Sequence, residues 1–175
     1  MAVNIYGGGA NTNANGLRFE QETSLSEALN AAGYVLDKNG YVFRSCFSEK
    51  PIALSAPKYK LYERILNPSG VNWREIISKQ MLPDEALLNL RTNTIYIIEK
   101  KFQNCSGSVD EKLQTCGFKK MQYQKLFAPL GIGVEYFYVC NDWFLRDEYR
   151  DVRDYIVSVG CHIFFNEIPL HYLGL

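Results

Sequence analysis

The stretch from Leu82 to Lys101, LPDEALLNLRTNTIYIIEKK, constrains the fold more than any other part of the chain. Its second half carries Ile95-Tyr96-Ile97-Ile98, a run of β-branched and aromatic residues of the kind found in strands buried on both faces. That strand ends directly in Glu99-Lys100-Lys101. An isolated carboxylate there would cost several kcal/mol or give up its charge, so the fold must supply compensation.

The first half of the stretch reads as the partner strand of a hairpin. An even-numbered turn over Arg91 to Thr94 pairs Leu90 with Ile95 and Asp84 with Lys101, and directly opposed residues share a face. Glu99 lies two residues before Lys101 and joins that face, diagonally about 7–8 Å from Asp84. Two carboxylates and an ammonium group therefore converge at one end of the hairpin. A hard divalent cation, magnesium first, would take oxygen ligands from Asp84 and Glu99 and relieve their repulsion. Lys101 would stand beside it to orient a water or stabilise charge on a phosphoryl oxygen. The same residues also fit a surface ion pair between Asp84 and Lys101 with Glu99 solvated, worth about 0–1 kcal/mol.

The 175 residues, 47% of them apolar, are enough for one well-formed core, and no Ser/Gly/Pro-rich stretch divides them. The expectation is one domain over 1–175, with 1–15 a flexible N-terminal loop. Nineteen basic and nineteen acidic residues cancel, so a polyanionic partner has to be met by a local patch. The five cysteines form no CxxC pair, and no leader or membrane-spanning apolar run stands out. A reducing cytoplasm with buried, zinc-free cysteines is expected, and no membrane partner. The early IYGGGANTNANG lacks the Lys-Ser/Thr pair of a phosphate loop, which argues against a nucleotide cofactor.

The order of elements follows from periodicity and turn residues. A helix is expected over 17–32, stopped by Gly33, then a hairpin over 34–43 turning at Asn39-Gly40. A helix over 59–66 follows, 71–81 is open between helix and strand, and the hairpin of strands near 84–102 comes next. The sequence SVDEKLQTCGFKKMQYQKLF opens on a Ser108-x-x-Glu111 capping box, predicting a helix over 109–128. On it Lys112 and Lys119 share a face flanked by Lys120 and Lys125, a basic stripe beside the carboxylates suited to phosphate contacts, while Phe118, Met121, Leu126 and Phe127 are assigned to the core. A strand over 132–140, an amphipathic helix closing at Gly160 and a final strand in CHIFFNEI complete an α/β chain with a mixed central sheet flanked by helices. His162 and His171, the two histidines, are read as structural.

Pro83-Asp84, fourteen residues, then Glu99-Lys100-Lys101 resembles the PD-(D/E)XK signature of many type II restriction endonucleases. In that family the Asp opens the second strand of a hairpin and the E-x-K lies on the next, within an α-β-β-β-α-β core that the order above parallels over roughly 15–165. The resemblance implies a magnesium-dependent endonuclease acting on double-stranded DNA, with Asp84 and Glu99 as metal ligands and Lys101 in the chemistry. It also implies a helix carboxylate facing the site, for which Glu20 is favoured and Glu27 is next. Gln103 continues the face of Glu99 and Lys101 and would meet a phosphate or water at the rim. With no recognition module in view, the organisation resembles the small cleavage subunit of a heterodimeric type IIS enzyme, working with a larger DNA-recognising subunit. A self-sufficient homodimer, a repair or junction nuclease, and a non-catalytic binding protein stay open as alternatives.

Overall fold

The computed structural model describes residues 8–105 and 109–175. It is a mixed α/β structure around a seven-stranded sheet whose spatial order follows the chain: β1 (Val35–Leu36), β2 (Tyr41–Phe43), β3 (Ala53–Ser55), β4 (Glu85–Asn89), β5 (Thr94–Lys101), β6 (Gly133–Cys140) and β7 (His162–Phe165). The pairs from β1 to β5 are antiparallel; β5–β6 and β6–β7 are parallel. Two helices, α3 (Val109–Leu113) and α4 (Cys116–Phe127), lie between β5 and β6, and α5 (Arg150–Ser158) lies between β6 and β7. Helices α1 (Gly8–Glu22) and α2 (Leu25–Ala31) precede the sheet.

Apolar clusters cover both faces of this sheet. Ile95 and Ile97 of β5 pack with Tyr136 and Tyr138 of β6 against Cys116, Tyr123, Leu126 and Phe127 of α4. On the other side Tyr96 and Ile98 pack with Phe137 and Val139 against Phe19, Leu25, Leu29 and the C-terminal Ile168 and Leu173. The apolar run of β5 is thus covered on both faces, as its composition predicts.

Several expectations are corrected in detail. The Gly- and Asn-rich segment is helical from Gly8, not loop to residue 15; Gly and Asn are weak helix formers, costing up to about 1 kcal/mol each, but only proline forbids the helix from extending back from a packed turn. The helix expected over 17–32 is two. Thr23 turns its hydroxyl back onto the Phe19 carbonyl (2.7 Å), and Ser24 is extended at φ −65°, ψ 130°, so α2 starts anew. Likewise 109–128 breaks between α3 and α4, where the Thr115 hydroxyl donates to the Lys112 carbonyl (2.7 Å); Ser108 lies outside the described residues. The segment 59–66 forms a π-helical turn over Tyr62–Leu66, and 71–81 holds a single 3₁₀ turn at Trp73–Glu75. Strand β3 carries no alternation long enough to announce it. Phe118 and Met121 are exposed, not core, and so are Cys46 and Cys105.

The first hairpin turns as expected, with Gly40 at φ +94°. A Cβ there would stand 2.5 Å from the Ser55 carbonyl oxygen, so the position is closed to any side chain by backbone as well as by φ. The decisive hairpin, β4–β5, pairs Asn89 with Thr94, not Leu90 with Ile95. The cause is an Asx turn: the Asn89 side-chain oxygen accepts from the Arg91 and Thr92 main-chain N–H groups at 2.9 and 3.2 Å, ending the strand one residue early. The register moves by two and parity is kept, so Asp84 still falls on the face of Glu99 and Lys101.

Candidate active site

The end of the β4–β5 hairpin gathers the charges that the strand composition left unexplained. Asp84 immediately precedes β4, and its register places it opposite Glu99. The Asp84 carboxylate accepts the Lys100 main-chain N–H at 2.8 Å, which fixes it against β5. Glu99, only 7% exposed, receives two ammonium groups from different elements: Lys101 of the same strand at 3.1 Å and Lys119 of α4 at 3.3 Å. Lys101 also lies 3.8 Å from Asp84 and 5.9 Å from the centre of the Tyr138 ring. Two carboxylates are balanced by two ammonium groups. This is the compensation that a carboxylate at the end of a buried strand requires.

The Lys101 ammonium group is held by oxygen on three sides: Glu99 Oε2 at 3.1 Å, the Lys100 carbonyl at 2.9 Å, to which it donates, and Asp84 Oδ2 at 3.8 Å. A positive charge therefore already sits in a cradle of hard oxygen donors. Among the described residues no group of three or more His, Cys, Asp or Glu side chains is placed to hold an ion, so a cation here would rest on two carboxylates and a main-chain carbonyl. Oxygen donors of this kind suit magnesium, which keeps several waters and needs only one or two carboxylates.

The middle residue of the EKK triplet has a different task. Lys100 points to the opposite face, where its ammonium group pairs with Glu85 at 3.0 Å and donates to the Glu20 main-chain carbonyl at 3.0 Å. Glu85 in turn accepts the Leu25 N–H at 3.3 Å. A cation at the end of α1 and an anion at the start of α2 complement the two helix ends and tie both helices to the sheet. Sequence reasoning followed one face only and missed this pair; alternation alone would have put Glu85 and Lys100 together on the other.

The remaining expected residues are distributed unevenly. Glu20 and Glu27 have exposed side chains and line a cleft of about 580 Å³ that also receives Asp84, Lys58 and Lys60. The carboxylate of Glu20 is not gathered with Asp84 and Glu99; its carbonyl, not its side chain, makes the contact described above. Gln103 is buried and ties the end of β5 to the end of β6: its N–H donates to the Asn141 side chain (3.1 Å), its carbonyl accepts from it (2.8 Å), and its amide donates to the Cys105 carbonyl (2.8 Å). Of the basic stripe, Lys119 reaches the site, while Lys120 turns to Glu135 (3.4 Å) and the Gly160 carbonyl. Lys112 is exposed on α3, and its carbonyl accepts from the Tyr138 hydroxyl at 3.1 Å. The break between α3 and α4 separates what a single helix would have aligned.

Burial shapes the protonation of the groups behind the site. It raises the Tyr138 phenol above its usual range and pushes the Cys140 thiol up to about 12. Tyr123 is raised by burial first and by the Glu99 charge second, so its hydroxyl is a neutral donor beside the carboxylates. Among the described residues no helix is long and apolar enough to cross a membrane. Comparison with known protein families, with curated proteins and with solved structures finds no match to this chain.

Proposed function

We propose that the chain is a magnesium-dependent DNA endonuclease with a PD-(D/E)XK-like site, hydrolysing a phosphodiester bond in duplex DNA. The observation that carries this reading is the cradle of Asp84, Glu99 and the Lys100 carbonyl around a positive charge, with a second ammonium group, Lys119, on the same carboxylate. When bound there, a magnesium ion would supply an acidified water and Lewis-acid charge. Asp84 and Glu99 are the carboxylates to hold it, and the hydrogen bond from the Lys100 N–H keeps Asp84 in place. Lys101 and Lys119 neutralise Glu99 without the ion; with Glu99 engaged elsewhere they are the groups left to meet a phosphate and the charge developing on its oxygens.

The finer reading is a cleavage subunit that works with a larger DNA-recognising partner in the type IIS manner and cuts one strand. Zero formal charge supports it, because such a chain has little long-range attraction for a polyanion and relies on local contacts. The test is incubation of supercoiled plasmid with the purified chain, with and without magnesium and with a candidate large subunit. Cleavage that requires magnesium and is lost in Asp84→Asn is the expected result. Magnesium-dependent cutting that Asp84→Asn retains would overturn the site.

A further inference from the structure

The two carboxylates open onto different cavities. Asp84 lines the 580 Å³ cleft, whereas Glu99 lies at the wall of a second, of about 410 Å³, between the segment 78–82 and α4. This second cavity falls within the ~300–1,000 Å³ of small-molecule sites. Its lining combines Phe118, Gln122, Tyr123 and Lys119 of α4 with Gln80 and Glu99. Phe118 is 61% exposed, a large aromatic side chain left uncovered beside a charged site. Tyr123 is fully buried, and among the described residues its hydroxyl has no hydrogen-bond partner.

We infer that this cavity takes one nucleotide of a DNA strand, its base displaced from the stack. The inference rests on the nuclease reading for the identity of the strand. Each component of a nucleotide has a matching group: an aromatic face at Phe118 for the base, amides at Gln80 and Gln122 for base edges, and the Lys119 ammonium for the phosphate. Lys119 is common to cavity and site, since its ammonium group lies 3.3 Å from Glu99. A phosphate drawn to Lys119 is therefore delivered next to the cradle of Glu99 and Lys101. Phe118, misassigned to the core from sequence, is exposed because this face of α4 is turned to the cavity and not to the sheet.

The test separates base binding from phosphate binding and from cleavage. Fluorescence anisotropy without magnesium would compare a labelled eight-residue thymidine oligonucleotide with an abasic octamer of equal charge. Unlabelled thymidine 5′-monophosphate would serve as competitor. The wild-type chain is expected to bind the thymidine octamer at least ~10-fold more tightly than the abasic one, and Phe118→Ala to lose most of that preference while binding the abasic octamer unchanged, as stacking of one base is worth ~5- to 150-fold. A 4-thiothymidine in the octamer should cross-link to the α4 peptide. Equal affinity for the two octamers, no binding at all, or an unchanged preference in Phe118→Ala would overturn the inference. Thymidine monophosphate competing as strongly as the octamer would overturn the assignment to a strand. Plasmid cleavage, scored separately, tells this failure from failure of the nuclease reading: a chain that cuts with no base preference lacks the pocket, and one that binds bases without cutting lacks the nuclease.

Discussion

Asp84 accepts a hydrogen bond from the main-chain N–H of Lys100 at 2.8 Å, so one carboxylate oxygen is held by the strand that carries Glu99 and Lys101. This contact separates position from charge. Asp84→Asn retains a side-chain oxygen that can accept it, and the hairpin end should keep its geometry, with thermal unfolding within a few degrees of wild type. Cleavage should fall by at least ~10²-fold, because the anionic donor is gone. Asp84→Ala loses the hydrogen bond as well and should cost about 1–2 kcal/mol of stability, the range for a partly exposed charged acceptor. Equal stability of Asn and Ala variants in urea titrations would show that the contact contributes nothing.

The adjacent lysines give a sharper contrast. Lys100 and Glu85 form an ion pair whose side chains are 5% and 13% exposed, and the pair also meets both helix ends. Lys100→Ala leaves Glu85 without its partner and should cost about 3 kcal/mol, the low end for a broken buried pair. Lys101→Ala should lose turnover by ~10²-fold or more while its midpoint of unfolding moves less than that of Lys100→Ala, because Lys119 still meets Glu99. A chain in which Lys100→Ala unfolds no earlier than Lys101→Ala contradicts the division between the two faces of β5.

On α4 the contrast is between Lys119, which pairs with Glu99, and Lys120, which pairs with Glu135 and the Gly160 carbonyl. Lys119→Met should reduce cleavage ~10-fold or more with little loss of fold, and Lys120→Met should leave cleavage within ~2-fold, since it touches neither carboxylate. Reversed effects in the plasmid assay would place the phosphate contacts on the other side of the helix.

What could be read from the residues was parity, and what could not was where elements stop. The shared face of Asp84, Glu99 and Lys101 came through a register error because the shift was two residues, forced by the Asx turn at Asn89, and two is the period of a strand. The helices were less legible: the break at Thr115 depends on a side-chain hydrogen bond to Lys112, and apolar spacing does not reveal that the α4 face carrying Phe118 and Met121 is left uncovered. Glu85 and Lys100 were hidden by their neighbours, as a reading that follows the carboxylate face passes over the intervening residues. Strand β3 is three residues long, too short for alternation to show.

Alkaline pH should weaken the fold through groups that only unfolding lets ionise. Burial raises the Tyr123, Tyr136 and Tyr138 hydroxyls above 10.0 and carries Cys140 from 9.0 to about 12. With folded values above unfolded ones, the folded state keeps protons that the unfolded chain releases. This stabilisation is complete below about pH 9 and is lost as pH rises through 9–12, at up to ~1.4 kcal/mol per pH unit for each such group. Urea midpoints should be level from pH 7 to 8.5 and fall beyond it. A midpoint that rises or holds to pH 11 would show these groups to be accessible to solvent in the folded chain.

DNA binding by the isolated chain should be weak and shallow in its salt dependence. The ammonium groups placed at the two cavities and between the carboxylates are Lys58, Lys60, Lys79, Lys100, Lys101 and Lys119, and of these Lys60, Lys100, Lys101 and Lys119 are already engaged by carboxylates. Each phosphate they neutralise contributes about −0.9 to the slope of log K against log salt, so the slope should be no steeper than about −5. A larger subunit that recognises the target should steepen it and confer sequence preference, because the additional phosphate and base contacts are the partner's. In that complex the Asp84→Ala chain should still dock, and the plasmid should be nicked on the partner's strand without being linearised. Nanomolar, sequence-specific binding by the isolated chain, or double-strand cleavage by it alone, would instead identify an enzyme that pairs with a second copy of itself and reads its own target.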